Sequence, residues 1–463
     1  MSEPGPTRVL AEFAALLELA DVPDAVQAHA RLCLLDGLGC GLYGSQLEWG
    51  QISAAVAEEM AGGGGATVWG HSAQVGPAAA ALANGTSLHG FEIDDVHVRA
   101  MIHPAAVVIP AVLALAETEG ADGETVLAAI IAGYEVGIRV GIATGVPHGA
   151  RGYHATGTVG CIAAAAGAAR VLGLDADQTA HAIGIAATQA AGLYCARAGA
   201  MTKRFHAGHA AQAGVLGAVL ARRGFTGSTD VLEVAFGGFM STLTENPDMN
   251  ELTRDLGLRW ETALVGFKIH AACASAHTII DGLDDLMRQG VTAENLDHLT
   301  VHMTTKAARN VGWPYVPESI VAAQMNGRYA AAAKLLDGVV FAEQYAEDRL
   351  VAPDILALVE RVDIIADPEL DAGGVGKRHA SRVAAVLNDG RTLSAFNEQR
   401  RGSSHRPLSQ DEIIQKFRLV TARVLAPELA DDLLDLVFTV EKLPEISLLT
   451  RLLRVPPMTT KED

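Results

Sequence analysis

Apolar positions in the first part of the chain recur every three to four residues in segments punctuated by Gly, a helical pattern. "RLCLLDGLGCGLYG" (31–44), "ETVLAAIIAGYEVGIRVG" (124–141), "ADQTAHAIGIAATQAAG" (176–192) and "HAAQAGVLGAVLARRGFTG" (209–227) read as short helices whose small residues let them pack closely. The texture changes beyond Lys268. "LDHLTVHMTT" (296–305), "LVERVDIIAD" (358–367) and "SRVAAVLNDGRTLSAF" (381–396) carry β-branched residues in short or alternating runs, the last with an Asp-Gly turn. After His405 the helical pattern returns in "LSQDEIIQKFRLVTARVL" and "PELADDLLDLVFTV". The pattern predicts a mainly α protein: a large helical domain over 1–265, a smaller α+β domain over 266–404, and a segment 405–455 that rejoins the helical domain. No repeat or low-complexity linker interrupts it, and the tail "MTTKED" is expected to fray.

Composition supports a sizeable core, because 463 residues with 49% hydrophobic content exceed one typical domain. The apolar run "PAAVVIPAVLALA" from Pro104 falls short of a bilayer span, and the start "MSEPGPTRVLAEF" lacks a secretory n-region, so a cytoplasmic protein without membrane partners is expected. Cys33, Cys40, Cys161, Cys195 and Cys273 show no CxxC spacing, which argues against a disulfide framework or zinc ribbon. A formal charge of −19 disfavours nucleic acid. An anionic ligand would therefore need positive charge gathered locally.

Three segments gather it. In "YHATGTVGCIAAAAGAARVLGL" (153–174), His154 stands in front of a small-residue helix. His103 does the same before Pro104, a residue suited to a first helical position, and Lys203 and Arg204 precede a third such helix. A helix N-terminus presents free N–H groups and about half a positive charge, so three converging would hold a carboxylate. The same potential disfavours imidazolium and leaves His103 and His154 able to accept a proton. Lys203 could stabilise charge developing beside a carboxylate.

The densest polar cluster, "LHGFEIDDVHVRAMIHP" (88–104), contains His89, Glu92, Asp94, Asp95, His97 and His103. Imidazoles and carboxylates suit a divalent metal, yet no HExxH or EF-hand spacing is present. The alternative is that Asp94 or Asp95 accepts a hydrogen bond from a catalytic His and fixes its tautomer.

The successive blocks "HGFEIDDVH…HPAAVVIPAVLALAE", "GYHATGTVGCIAAAAGAARVLGL", "MTKRFHAGHAAQAGVLGAVLARRGFTG", "FKIHAACASAHTIIDGL" and "RPLSQDEIIQKF" resemble the MmgE/PrpD family, in order and over most of the chain. The resemblance implies a helical domain with an α+β lid, a homodimer, no metal or organic cofactor, and a small anionic carboxylate substrate. It carries catalytic roles to His103, His154, Lys203 and the lid tyrosine Tyr329, and matches Asp94, Asp95 and Lys268; these three, with Arg204 as a planar fork beside Lys203 and Cys273, are the expected substrate-binding residues. Glu92, Val96 and Cys273 stand where decarboxylase-like members carry Asp, Thr and His. Cys273 is a pocket wall, a proton donor, or, as a thiol in "HAACASAH", a small buried apolar residue.

Dehydration, decarboxylation and epimerisation in such a family all pass charge through a carbon next to a carboxylate. A hydro-lyase acting on a 2-methylcitrate-like substrate is the leading expectation, with iminodisuccinate epimerase-like and cis-aconitate decarboxylase-like activities as alternatives. Outside the family stand a metal-dependent hydrolase and a non-catalytic polycarboxylate-binding protein.

Overall fold

The computed structural model describes residues 4–61, 63–198 and 200–455; the tail from Met458, expected to fray, lies outside them. The chain is 59% helix and 9% strand, which makes it mainly α. In the helical part, Thr202–Arg222 packs against Pro77–Leu88, Gly160–Val171, Ala176–Ala187 and Ala105–Glu119. Small residues allow this. A Cβ on Gly208 would lie 2.2 Å from the Leu82 carbonyl oxygen, and one on Gly214 would lie 2.4 Å from Ala164 Cβ. A side chain at either position would push the helix out and carry its N-terminal Lys203 and Arg204 with it.

The segment expected as a short helix at 124–141 belongs to a longer one, Gly123–Ala150, which continues past a non-helical Gly145 (φ 62°). Among the described residues it is the one helix long and apolar enough to cross a membrane, but its apolar stretch is wholly buried in the protein. It also carries buried Glu135 and Arg139, and Glu135 accepts hydrogen bonds from the backbone and hydroxyl of Thr262 at 2.7 Å. Internal partners for polar groups are what a core helix requires.

The β-rich runs form a four-stranded sheet in the order Val362–Ala366, Leu296–Met303, Ser381–Leu387, Thr392–Asn397, the first pair parallel and the others antiparallel. The Asp-Gly turn closes the last hairpin, with Gly390 at φ 85°. Ala274–Arg288 packs on two of its strands and on the helix Gly327–Asp337.

Beyond the sheet, Gln410–Thr421 starts at a capping box in which Ser409 and Glu412 each satisfy the other's backbone N–H, and it packs on the helix Asp24–Ser45. Its buried Lys416 pairs with Asp36 at 2.6 Å and donates to the Ile93 carbonyl. The C-terminal segment thus reaches the polar loop at the centre of the molecule.

Candidate active site

That loop, between the helices Pro77–Leu88 and Ala105–Glu119, is held by its own carbonyls. Those of His89, Phe91, Ile93 and Asp95 accept from Arg204, Gln324, Lys416 and His103. The clamping leaves Glu92 at φ 59° and Met101 at φ 59°, two of four non-glycine residues with positive φ among those described. Both line one small cavity of about 80 Å³. Strained backbone at a cavity wall marks a place where geometry is fixed by its surroundings.

The cavity lies between the helical part and the sheet part. His103, His154, Tyr194 and Lys203 come from one side, Lys268 and Cys273 from the join, and Lys306, Asn310, Arg378 and His379 from the other. Its small size and its cations fit an anion recognised by charge, on a chain whose net charge is negative.

His154 is the N-cap of the short helix Ala155–Thr158, as expected. His103 lies just ahead of Ala105–Glu119, with Pro104 at the cap position rather than inside the helix. Lys203 and Arg204 fall within the first turn of Thr202–Arg222, not before it.

Three imidazoles gather here, His103 and His154 on the wall and His89 behind them. The His103 ring is 4.9 Å from that of His89, and His89 stacks at 5.5 Å on His154. His103 Nδ1 is 2.6 Å from the Asp95 carbonyl oxygen and 3.2 Å from the Asp94 carboxylate, so Nδ1 carries the hydrogen and Nε2 the lone pair. His89 Nδ1 also meets Asp94, at 2.6 Å. His154 Nδ1 is 3.0 Å from His206 Nδ1, one donating and the other accepting. Burial, ahead of nearby positive charge, lowers the pKa of His154 well below its usual value. Burial also lowers that of His103, against the opposing pull of Asp94. Both rings are neutral near pH 7, as the helix-dipole argument predicts, although the principal cause is desolvation.

The two aspartates do not line the cavity. Asp94 sits behind the imidazoles; burial opposes its ionisation, but His103, His89 and Lys268 hold it well below the carboxylate range. Asp95 caps the helix after His103, accepting from Ala105 N at 3.1 Å and the Tyr134 hydroxyl at 3.0 Å. Burial, with the charges of Asp94 and Asp36, pushes it well above that range. The expectation that the pair binds substrate is corrected on this geometry: neither reaches the cavity, Asp94 faces Nδ1 of His89 and His103, and the backbone carbonyl of Asp95 is the nearest acceptor for His103.

Glu92 is the one carboxylate on the wall. Lys203, Arg204 and Lys268 all reach it, Lys268 at 3.0 Å, and together they outweigh the burial that would raise its pKa. The fork of Arg204 is filled by Glu92, the His89 carbonyl and Gln324 Oε1 at 3.0 Å, and its guanidinium lies 5.8 Å over the Trp49 ring. It does not line the cavity, which corrects its expected role as a substrate clamp. Cys273 does line it, half-buried at the N-cap of Ala274–Arg288, which places the pocket-wall reading ahead of the buried-apolar one.

Tyr329 is not brought to the site. It is fully buried between Tyr315 and Tyr345, and its hydroxyl donates to the Gln344 carbonyl. The lid residues that do reach the cavity, Lys306, Arg378 and His379, lie outside the blocks that carried the resemblance. For Arg378 and His379 the basic run "GKRHA" (376–380), just ahead of a strand, is the one local signal; Lys306 lies outside it.

His89, Asp94 and His103 offer ligand atoms within 4.8 Å of one another, a group that could hold a metal. In this geometry both imidazoles turn Nδ1 toward the Asp94 carboxylate, and Lys268 Nζ supplies positive charge 3.6 Å from Asp94.

Sequence comparison places this arrangement. The MmgE/PrpD N-terminal domain matches residues 8–252 and the MmgE/PrpD C-terminal domain matches 270–441. The chain belongs to the MmgE/PrpD family. This MmgE/PrpD protein is similar along nearly its whole length to characterised proteins. It is 31% identical to the cis-aconitate decarboxylase-like protein oryM of Aspergillus oryzae, over 96% of this chain and 97% of that one. It is 30% identical to the cis-aconitate decarboxylase of Aspergillus terreus (98% and 96%) and 28% to that of Homo sapiens (95% and 92%). The C-terminal family domain runs through the helix Gln410–Thr421, so the segment that packs back on the helical part belongs to the second family domain.

Proposed function

We propose that this MmgE/PrpD protein is a lyase that decarboxylates a small unsaturated tricarboxylate of the cis-aconitate kind. Full-length similarity to decarboxylases favours this alternative over the hydro-lyase expected from sequence. The observation that carries the chemistry is the wall itself: ammonium and guanidinium groups facing neutral imidazoles across a small cavity, which shares Met101, Tyr194, Lys306 and Asn310 with a larger one of about 590 Å³.

Loss of CO2 from a carbon next to a conjugated alkene breaks one C–C bond and sends its electron pair through the double bond toward the remaining carboxylate. Lys203 and Lys268, fixed on Glu92, stabilise the charge as it develops, without reorganising. One proton must then be added to carbon, giving a five-carbon dicarboxylate. His103 or His154 carries it. Substrate carboxylates beside the rings offset the burial that keeps them neutral, so an imidazole takes up a proton as the anion binds and returns it to carbon.

The hydro-lyase is the second reading, because Glu92 and Cys273 both face the cavity where decarboxylase-like members of the family carry Asp and His. Incubation with cis-aconitate and with 2-methylcitrate, following CO2 and alkene absorbance, separates the two.

A further inference from the structure

The cations around the cavity differ in what neutralises them. Lys203, Arg204 and Lys268 share Glu92, and Lys268 also approaches Asp94. Lys306 and Arg378, on the opposite wall, have no such partner: among the described residues no carboxylate oxygen lies within 4.0 Å of either. Lys306 Nζ meets the Met101 sulfur at 3.3 Å, and Arg378 Nε donates to His379 Nε2 at 3.0 Å.

Two half-buried cations on one cavity wall without a counter-ion repel one another and lose part of their hydration, a cost that a bound anion offsets. The structure shows that tension. Burial, then the charge of Arg378, brings the Lys306 amine down to about 8, and burial lowers the Arg378 pKa as well. His379, whose pKa burial and Arg378 press well below normal, is a neutral acceptor that pins the guanidinium by Nε. The other two guanidinium nitrogens keep a fork suited to a carboxylate.

We propose that Lys306 and Arg378 form the subsite that takes one carboxylate of the substrate, with His379 orienting the guanidinium. The inference rests on the polycarboxylate reading above and makes it specific. Lys203 and Lys268 face the carboxylate that receives charge, while the lid-side pair grips another and sets preference for substrates carrying both.

Calorimetric titration of the full chain with propane-1,2,3-tricarboxylate, a saturated probe that cannot lose CO2 through an alkene, tests it. Lys306→Met and Arg378→Gln should each weaken binding at least ten-fold, and Arg378→Lys should recover part of the loss. The unliganded variants should melt no lower than the parent, because each removes an uncompensated cation. Binding within two-fold of the parent in both variants overturns the subsite and leaves the proposed function standing. A parent protein that binds inorganic phosphate but no polycarboxylate, and loses phosphate in the same variants, keeps the anion subsite and overturns the polycarboxylate reading. Variants that melt several degrees lower without ligand contradict the uncompensated-charge argument.

Discussion

His103 donates its Nδ1 hydrogen to the backbone carbonyl of Asp95 at 2.6 Å, with the Asp94 carboxylate 3.2 Å away, and this leaves the lone pair on Nε2. His103→Ala should lower kcat by roughly two or more powers of ten, the usual scale for a general acid or base. Asp94→Asn should cost less but shift the profile. The carboxylate raises the pKa of His103, so its removal should move the His103 limb of kcat/KM to lower pH. A pH–rate profile with an unmoved limb would take Asp94 out of this role.

Glu92 joins three cations, so Glu92→Gln should destabilise the protein by about 3–5 kcal/mol at pH 7, the scale for stranding buried charge. Its folded pKa lies well below the unfolded value near 4.3, so the contribution is complete above roughly pH 5 and lost as pH falls toward the folded value. Urea unfolding at pH 7 and pH 4 should show a smaller difference between parent and variant at pH 4. An equal difference at both would mean that Glu92 is not held ionised by its neighbours.

Tyr329 is packed, and its hydroxyl serves the Gln344 carbonyl. Tyr329→Phe should keep kcat within about two-fold and lower stability by about 1–3 kcal/mol, the cost of an unsatisfied buried acceptor. A hundred-fold loss of kcat at unchanged melting temperature would return the phenol to the chemistry.

The difference between expectation and structure has a physical pattern. Features that depend on neighbours along the chain were legible: the N-cap position of His154, the hairpin at Asn388-Asp389-Gly390, the β texture after Lys268 and the polar loop from His89. What failed depends on partners outside the local segment. The sequence presents Arg204 as a free fork beside Lys203, because nothing near it reveals that Glu92 and Gln324 fill that fork. Lys306 and Arg378 lie 72 positions apart, and only the packing of the sheet part against the helical part sets them on one wall. The neutrality of His103 and His154 was foreseen from a local helix dipole, but burial, a property of the assembled core, is its main source.

Chelation addresses the metal reading. His89 and His103 both turn Nδ1 to Asp94, and Lys268 supplies charge there, so EDTA should leave turnover unchanged. Loss of activity restored by one metal alone would make this trio a metal site.

Purified protein mixed with cis-aconitate, followed by proton NMR together with trapped CO2, should release one CO2 per substrate and form a five-carbon unsaturated dicarboxylate. Both should fall by at least a hundred-fold in Lys203→Ala that remains folded. Formation of an alkene from 2-methylcitrate with no CO2 from cis-aconitate would contradict the decarboxylase and establish the hydro-lyase in its place.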